Sequence, residues 1–147
     1  MLVLSISSPV GNLVLEERDA AITGIRWGEE RLSNGSPLLA EAARQLDAYF
    51  ACKLEHFDLP LRPAGTDFER RVWSAMRTIP YGETRSYGDL AAAIRSAPRA
   101  VGGACGKNPI PIVIPCHRVL AKAGFGGYSG SGGLKTKQAL LSLEGAL

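Results

Sequence analysis

The chain has 147 residues, enough for one domain or for two small ones. No apolar run approaches the ~20 residues that span a bilayer, and no secretory signal begins the chain, so we expect a cytoplasmic protein without a membrane partner. The three cysteines are odd in number and lack C-x-x-C spacing, which argues against a disulfide framework and against a metal site.

The formal net charge of +3 is unevenly divided along the chain. Residues 1–62 carry six Lys or Arg against nine Asp or Glu, whereas residues 63–147 carry eleven against five. The halves therefore have net charges of −3 and +6, and a basic half of this kind favours a polyanionic partner. A solvated basic face that meets no partner is the alternative.

The first half begins with strands. Leu2–Ser7 and Leu13–Leu15 flank a turn rich in Pro, Gly and Asn, which predicts a hairpin. Ala21–Trp27 predicts a third strand. These segments contain no group of catalytic side chains, so we expect them to form a stabilising platform.

A helix and a connecting segment complete this half. Ser36-Pro37 predicts a helix start, because a proline at the first helical position loses no hydrogen bond. Apolar residues then recur at helical spacing as far as Phe50. A short extended piece at 56–59 and a linker at 60–65 follow.

The second half begins with two capped helices. Thr66-x-x-Glu69 and Ser86-x-x-Asp89 are capping boxes, each followed by an apolar stripe at helical spacing. A third helix is predicted to start at Pro98 and to end near Cys105. The second and third helices, joined by a short connection, outline a helix-turn-helix.

The third helix carries very small side chains. Ala100, Gly102 and Gly103 lie in its interior, where each glycine costs about 1 kcal/mol relative to alanine. A helix tolerates that cost where another backbone approaches closely. The partner is either a neighbouring helix of the same chain or DNA, and Arg99 at the start of the helix favours DNA.

Residues 109–119, Pro-Ile-Pro-Ile-Val-Ile-Pro-Cys-His-Arg-Val, contain three prolines within seven positions. We predict an extended segment, since proline removes backbone donors and forbids a helix. The segment ends by presenting Cys116 beside His117 and Arg118, whose positive or potentially positive charges would favour a thiolate. An inert, buried cysteine is the alternative, and the residues alone leave the two about equally matched.

Beyond the cysteine lie a glycine-rich loop at 124–133 and a final helix. The helix is predicted to run from Leu134 to Glu144, with Leu134, Gln138 and Leu141 on one face.

Pro115-Cys116-His117-Arg118-Val119, preceded by Gly102-Gly103 and Asn108-Pro109, resembles the active-site signature of the O6-alkylguanine-DNA alkyltransferases. The resemblance covers nearly the whole chain and is strongest over residues 66–144. It implies an α+β protein with a ribonuclease-H-like domain at 1–62. A winged-helix-like domain at 63–147 would then contain the helix-turn-helix and the active-site cysteine.

The activity implied by the resemblance is repair by direct reversal. Cys116 would take the alkyl group from O6-alkylguanine once and irreversibly, and O4-alkylthymine is a further candidate substrate. His117 would draw the thiol proton through a water molecule, and Glu144 would orient His117. Displacement at saturated carbon suits this assignment, because a thiolate is a soft, strong nucleophile. No cofactor or metal is implied.

The resemblance also implies how damaged DNA is bound. A monomer would bind the duplex from the minor groove and extrude the base, because its O6 atom cannot otherwise reach a buried thiol. Arg99 would fill the space in the base stack, Tyr87 would contact the extruded base, and Asn108 would join the recognition helix to the cysteine segment. Further DNA contacts are expected from Ala100, Gly102, Gly103, Lys107 and Arg118. Pocket positions are Pro111, Val119, Tyr128 and Ser129.

Three departures from the family pattern stand out. The connection at 95–98 is short, Cys105 replaces an apolar residue, and the glycine loop contains an inserted Ser-Gly. Two other classes of protein remain as alternatives. A DNA-binding module without chemistry would lack Cys116, and a thiol hydrolase would draw its cysteine and histidine from distant parts of the chain.

Overall fold

The structure is a computed structural model that describes residues 1–30, 35–121, 126, 128, 130 and 132–147. The chain divides into two compact units, Met1–Pro63 and Ala64–Leu147. Among the described residues, the first unit has three strands and a helix and the second is mainly helical, so the predicted α+β class is confirmed. No helix in the described ranges has the length and apolar character needed to cross a membrane.

The first unit is an antiparallel sheet in the order β1-β2-β3. The strands are β1 (Leu2–Ile6), β2 (Leu13–Arg18) and β3 (Ala21–Trp27), with a bulge in β2 between Glu16 and Glu17. The predicted hairpin and third strand are therefore confirmed.

Helix α1 (Pro37–Phe50) packs on the sheet. The Ser36 hydroxyl accepts the Leu39 N–H and caps the helix, as the Ser-Pro pair predicts. Part of the predicted linker belongs to this unit, because Leu61 pairs with Ile22 of β3 in an isolated bridge. The linker prediction is wrong at this position.

The second unit is built on three mutually packed helices, α2 (Asp67–Arg77), α3 (Tyr87–Ile94) and α4 (Pro98–Gly106). Both capping boxes form as predicted. Arg95 ends α3 in the left-handed conformation and turns the chain into α4. The short parallel strands β4 (Arg85–Ser86) and β5 (Val119–Leu120) join the start of α3 to the segment that follows the cysteine.

The prediction that 109–119 is extended is wrong. The Ile114 N–H donates to the Ile110 carbonyl at 2.9 Å, and Ile112 has a φ of +74°, so the chain makes a tight turn. Cys116–Arg118 then forms a 3₁₀ turn. The prolines are compatible with this path, because a turn of this kind needs few backbone donors.

Helix α5 (Leu134–Leu143) lies where the final helix was predicted, and Glu144 is its C-cap. Of the three residues predicted to share a face, Leu141 is buried, whereas Leu134 is 46% exposed and Gln138 is exposed. The residues that α5 buries are Thr136, Lys137, Leu140 and Leu141. This face packs toward the 3₁₀ turn that carries Cys116.

Candidate active site

Asn108 holds the turn that precedes Cys116. Its side-chain oxygen accepts the Ile110 N–H at 2.9 Å, and its amide nitrogen donates to the Ile114 carbonyl at 2.8 Å. The Ile114 carbonyl also accepts the Cys116 N–H at 2.8 Å. Asn108 follows directly on α4, so this side chain joins that helix to the backbone of the cysteine.

Cys116, His117 and Arg118 are all buried, and His117 is fully so. The Nε2 atom of His117 lies 2.6 Å from Oε2 of Glu144, at the end of α5. Cys116, His117 and Glu144 therefore lie together, although 27 residues of sequence separate the histidine from the carboxylate.

Arg118 shares the same carboxylate. Its Nε donates to Oε1 of Glu144 at 2.8 Å, its Nη2 donates to Oε2 at 3.1 Å, and its Nη1 donates to the Ile79 carbonyl at 2.8 Å. The side chain of Arg118 is 8% exposed and that of Glu144 is 0% exposed. The structure thus places Arg118 in the buried network, and not with the predicted DNA-contacting residues on the surface.

The contact with Glu144 determines which ring nitrogen of His117 carries the proton. Burial lowers the pKa of His117 below its usual 6.5, although the hydrogen bond to Glu144 opposes this effect. A neutral ring beside a carboxylate carries its proton on Nε2, since a carboxylate only accepts. Nδ1 is then an acceptor, and it has no hydrogen-bond partner among the described residues. The ring can therefore take up a proton at Nδ1.

Burial also raises the pKa of the Cys116 thiol, more than the hydrogen bond from Asn108 and the charge of Lys137 lower it. The expectation that the flanking cations favour a resting thiolate is wrong. His117 is neutral and Arg118 is paired with Glu144, so neither supplies a free charge. The sulfur is protonated at rest and needs a base to become a nucleophile.

Helix α4 presents its small residues outward. A Cβ atom built on Gly102 or Gly103 would meet nothing within 4 Å, and Arg99 and Ala100 are exposed. The alternative that these glycines allow a neighbouring helix of the same chain to approach is therefore wrong for the described residues. Lys107, at the end of the helix, is exposed and forms a 3.6 Å ion pair with Glu69.

The opposite side of α4 packs into the core and is bound by Trp73 of α2. The indole N–H of Trp73 in α2 donates to the Ala104 carbonyl at 2.9 Å, and Val101, Ala104 and Cys105 are buried. The helix is thus anchored on one side and open on the other.

Two family models together cover almost the whole chain. The ribonuclease-like domain of the 6-O-methylguanine DNA methyltransferases matches residues 1–63, and their DNA-binding domain matches residues 67–146. The chain belongs to this family. Its activity is accordingly DNA repair by direct reversal, in which the alkyl group passes from the damaged DNA to a cysteine of the protein.

Relatives of the methyltransferase are similar over most of their length. The methylated-DNA–protein-cysteine methyltransferase of Mycolicibacterium paratuberculosis is 47% identical, over 95% of this chain and 90% of the relative. That of Methanosarcina barkeri is 45% identical, over 95% and 94%. A crystal structure of the Mycobacterium tuberculosis O6-methylguanine methyltransferase matches with a TM-score of 0.89 at 44% identity, covering 99% of this chain and 93% of that one. Mycobacterium tuberculosis OGT in complex with DNA matches with a TM-score of 0.87 at 46% identity, covering 97% and 91%.

This membership decides between the three activities considered from the sequence. A thiol hydrolase and a DNA-binding module without chemistry are both set aside, and the methyltransferase reading is confirmed. The predicted family and fold are confirmed with it.

Tyr87 and Tyr128 of the methyltransferase lie near the thiol. Burial raises the pKa of both phenols, and Cys116 adds to the effect, so both stay protonated at neutral pH. The ring of Tyr87 lies against the backbone of Gly126, where a Cβ atom would come within 3.0 Å of it. Pro111 and Val119 are buried in the same segment, and Ser129 lies outside the described residues.

Lys137 is a site residue that the sequence did not reveal. Its Nζ donates to the Val119 carbonyl at 2.6 Å, and the residue is fully buried. Burial lowers its pKa, while the two thiols Cys116 and Cys105 oppose this effect. Nothing in the sequence distinguishes Lys137, since a lysine in a helix ordinarily lies in solvent.

Cys105 is the second buried thiol. Its Sγ lies 3.4 Å from Sδ of Met76, and burial, followed by the nearby Cys116, raises its pKa to about 12. Such a thiol stays protonated and packs as a small apolar side chain.

Proposed function

We propose that Cys116 accepts the alkyl group and that each molecule reacts once. The observation that carries this proposal is the buried pair of Cys116 and His117, whose Nδ1 is an available acceptor while Nε2 is bonded to Glu144. The thiol proton passes to Nδ1 through a bridging water molecule. The thiolate then attacks the alkyl carbon, and the carbon–oxygen bond breaks with its electron pair on guanine O6.

The guanine leaves as an anion and takes up a proton. The proton that guanine gains balances the one that His117 removed from the thiol. We assign Tyr87 as a hydrogen-bond donor to the extruded base, because its phenol remains protonated at neutral pH. Pro111, Val119 and Tyr128 line the proposed pocket that receives the base, and Ser129, the fourth position expected there, lies outside the described residues. Asn108 positions the cysteine segment through its two hydrogen bonds.

Duplex DNA is the proposed partner, bound from the minor groove by α4. Gly102, Gly103 and Ala100 allow the groove floor to approach the helix, since nothing in the described chain covers the glycines. Lys107 contacts a phosphate, and Arg99 occupies the space that the extruded base leaves. Arg118, assigned to DNA from the sequence, is withdrawn from this set because its donors are used within the protein.

The protein is proposed to act as a monomer in the cytoplasm, associated with the nucleoid when bound to DNA. These assignments rest on the composition and on the family activity, and they need neither a cofactor nor a membrane.

The stoichiometry tests the proposed function. The protein is incubated with an excess of O6-methylguanine oligonucleotide, about tenfold, so that turnover would be detected. We expect one methyl group to be added per chain, on the peptide that contains Cys116. The thioether product has no acidic proton and no good leaving group, so the reaction stops there. The melting temperature should also fall, because an added methyl in a close-packed site typically costs about 1–3 kcal/mol. Continued repair beyond one equivalent, or a methyl group on Cys52 or Cys105, contradicts the proposal.

Arg99→Ala is expected to slow repair of duplex DNA much more than reaction with free O6-benzylguanine. Extruding a base costs a few kcal/mol, and losing the group that stabilises the extruded state should lower the duplex rate by about 10- to 100-fold. The free base needs no extrusion, so its rate should be unchanged. Single-turnover kinetics on both substrates give the comparison.

The matched control is Arg44→Ala, which removes an exposed arginine from α1 in the first unit. An equal loss on both substrates would show that Arg99 acts on folding or on the pocket.

A further inference from the structure

Arg118 is buried with its donors directed inward. Two of its nitrogens bind both oxygens of Glu144, and the third binds the Ile79 carbonyl. A planar guanidinium that meets a carboxylate in this paired manner fixes the plane of the carboxylate as well as its position. Arg118 therefore has a defined partner, and that partner also holds His117.

A turn at 80–83 completes the enclosure of this network. The Gly82 N–H points to Oε1 of Glu144 at 3.4 Å, and the guanidinium of Arg118 lies 5.8 Å from the centre of the Tyr81 ring. Gly82 has a φ of +81°, and a Cβ atom there would come within 3.2 Å of the Glu144 carbonyl. The carboxylate is thus bound by His117, Arg118 and a backbone amide.

A buried carboxylate beside a neutral histidine is unstable unless a cation compensates it. Without a cation, the negative charge of the Glu144–His117 pair would be neutralised in one of two ways. Glu144 would take up a proton, or His117 would become protonated to pair with it. Either change prevents proton transfer from Cys116 to His117. A protonated carboxyl no longer selects the tautomer of His117, and a protonated His117 cannot accept a second proton.

We propose that Arg118 is a positioning residue for proton transfer: it keeps Glu144 ionised and aligned with Nε2 of His117, so that Nδ1 remains able to accept the thiol proton of Cys116. This inference rests on the proposed function. It assigns to Arg118 a role within the protein in place of a contact with DNA.

In the part of the chain that the structure describes, Glu144, Arg118 and Lys137 act on the charge of His117, and Cys116 precedes it in the chain. Glu144 favours its protonated form, while Arg118 and Lys137 oppose it through their positive charges, and Cys116 is the proton source. Removing the charge of Arg118 should therefore make His117 easier to protonate. A change from arginine to lysine keeps the charge and loses only the paired geometry.

The test measures the rate of transfer from free O6-benzylguanine as a function of pH. Arg118→Lys should lower the plateau rate about 10- to 100-fold, below the 10²–10⁴-fold that general-base catalysis contributes, with the acid limb unmoved. Arg118→Met should also shift the acid limb to higher pH. Arg71→Lys is the matched control, because Arg71 is exposed and donates to a backbone carbonyl in another part of the same unit. It should leave the profile unchanged.

Two further measurements cover the case in which Arg118→Met fails to fold. In a Glu144→Gln background, Arg118→Lys should cause little additional loss, because residues that act through one another are not additive. In the unsubstituted protein, the ¹⁵N shifts of His117 should show a protonated Nε2 and an unprotonated Nδ1.

A wild-type rate and profile in Arg118→Lys, full additivity with Glu144→Gln, or a protonated Nδ1 would each overturn the inference. Failure of the proposed function has a different signature. In that case the unsubstituted protein transfers no alkyl group, or transfers it to a residue other than Cys116.

Discussion

Cys116→Ser is expected to abolish alkyl transfer while leaving the fold intact. Oxygen is a harder and weaker nucleophile than sulfur at saturated carbon, and a serine hydroxyl is far less acidic than a thiol. Removing the nucleophile of an enzyme typically lowers the rate on the order of 10⁶-fold, which here leaves no detectable transfer. Serine is close to cysteine in size, so the packing around residue 116 should survive.

The two other cysteines supply matched controls. Cys52→Ser changes an exposed thiol in the first unit, and Cys105→Ala changes a buried thiol that packs on Met76. Both variants should still accept one labelled alkyl group from methylated DNA. Label on the Cys116→Ser protein, or loss of labelling in Cys105→Ala with its fold intact, would assign the acceptor elsewhere.

His117→Gln is expected to lower the transfer rate by about 10²–10⁴-fold, the usual contribution of a positioned general base. Glutamine can still donate to Glu144, so the network remains bonded, but it cannot take up the thiol proton. Burial raises the pKa of Cys116, so without a base the thiolate is scarce at neutral pH. Reaction with free O6-benzylguanine measures this step without any contribution from DNA binding.

The pH dependence sharpens the test. The pKa of His117 lies below its usual 6.5, so the wild-type rate should hold down to about pH 6.5 and fall only as the ring becomes protonated at lower pH. His117→Gln should lose this acid limb. His56→Gln, at an exposed histidine of the first unit, should keep both the rate and the limb. An acid limb that persists in His117→Gln would show that another group is the base.

Local chemistry accounts for the parts of the fold that could be predicted. A capping box needs only two residues three positions apart, each bonded through its side chain to the backbone of the other, so Thr66-Glu69 and Ser86-Asp89 could be identified directly. Pro98 sets the start of α4 in the same way. The resemblance to a known family supplied the assignment of Cys116, which composition and spacing alone left balanced against an inert thiol.

The turn before Cys116 could not be predicted. Ile112 adopts a positive φ, which a β-branched residue rarely does. No local signal favours that conformation. The side chain of Asn108 closes the turn around it, with hydrogen bonds to the Ile110 N–H and the Ile114 carbonyl. Prolines in the segment exclude a helix, but they do not distinguish an extended chain from a turn.

The sequence by itself determined which groups are available: a thiol beside an imidazole, a helix of small residues with Arg99 at its start, and a carboxylate near the end of the chain. Only the tertiary structure decided their charge states. Folding brings Glu144 against His117 and Arg118, across 27 and 26 residues, and removes all three from water. Burial penalises each isolated charge, so the arginine pairs with the carboxylate, the histidine stays neutral and the thiol keeps its proton. In the sequence, Arg118 is a cation two residues from Cys116. In the folded protein its charge is paired with Glu144.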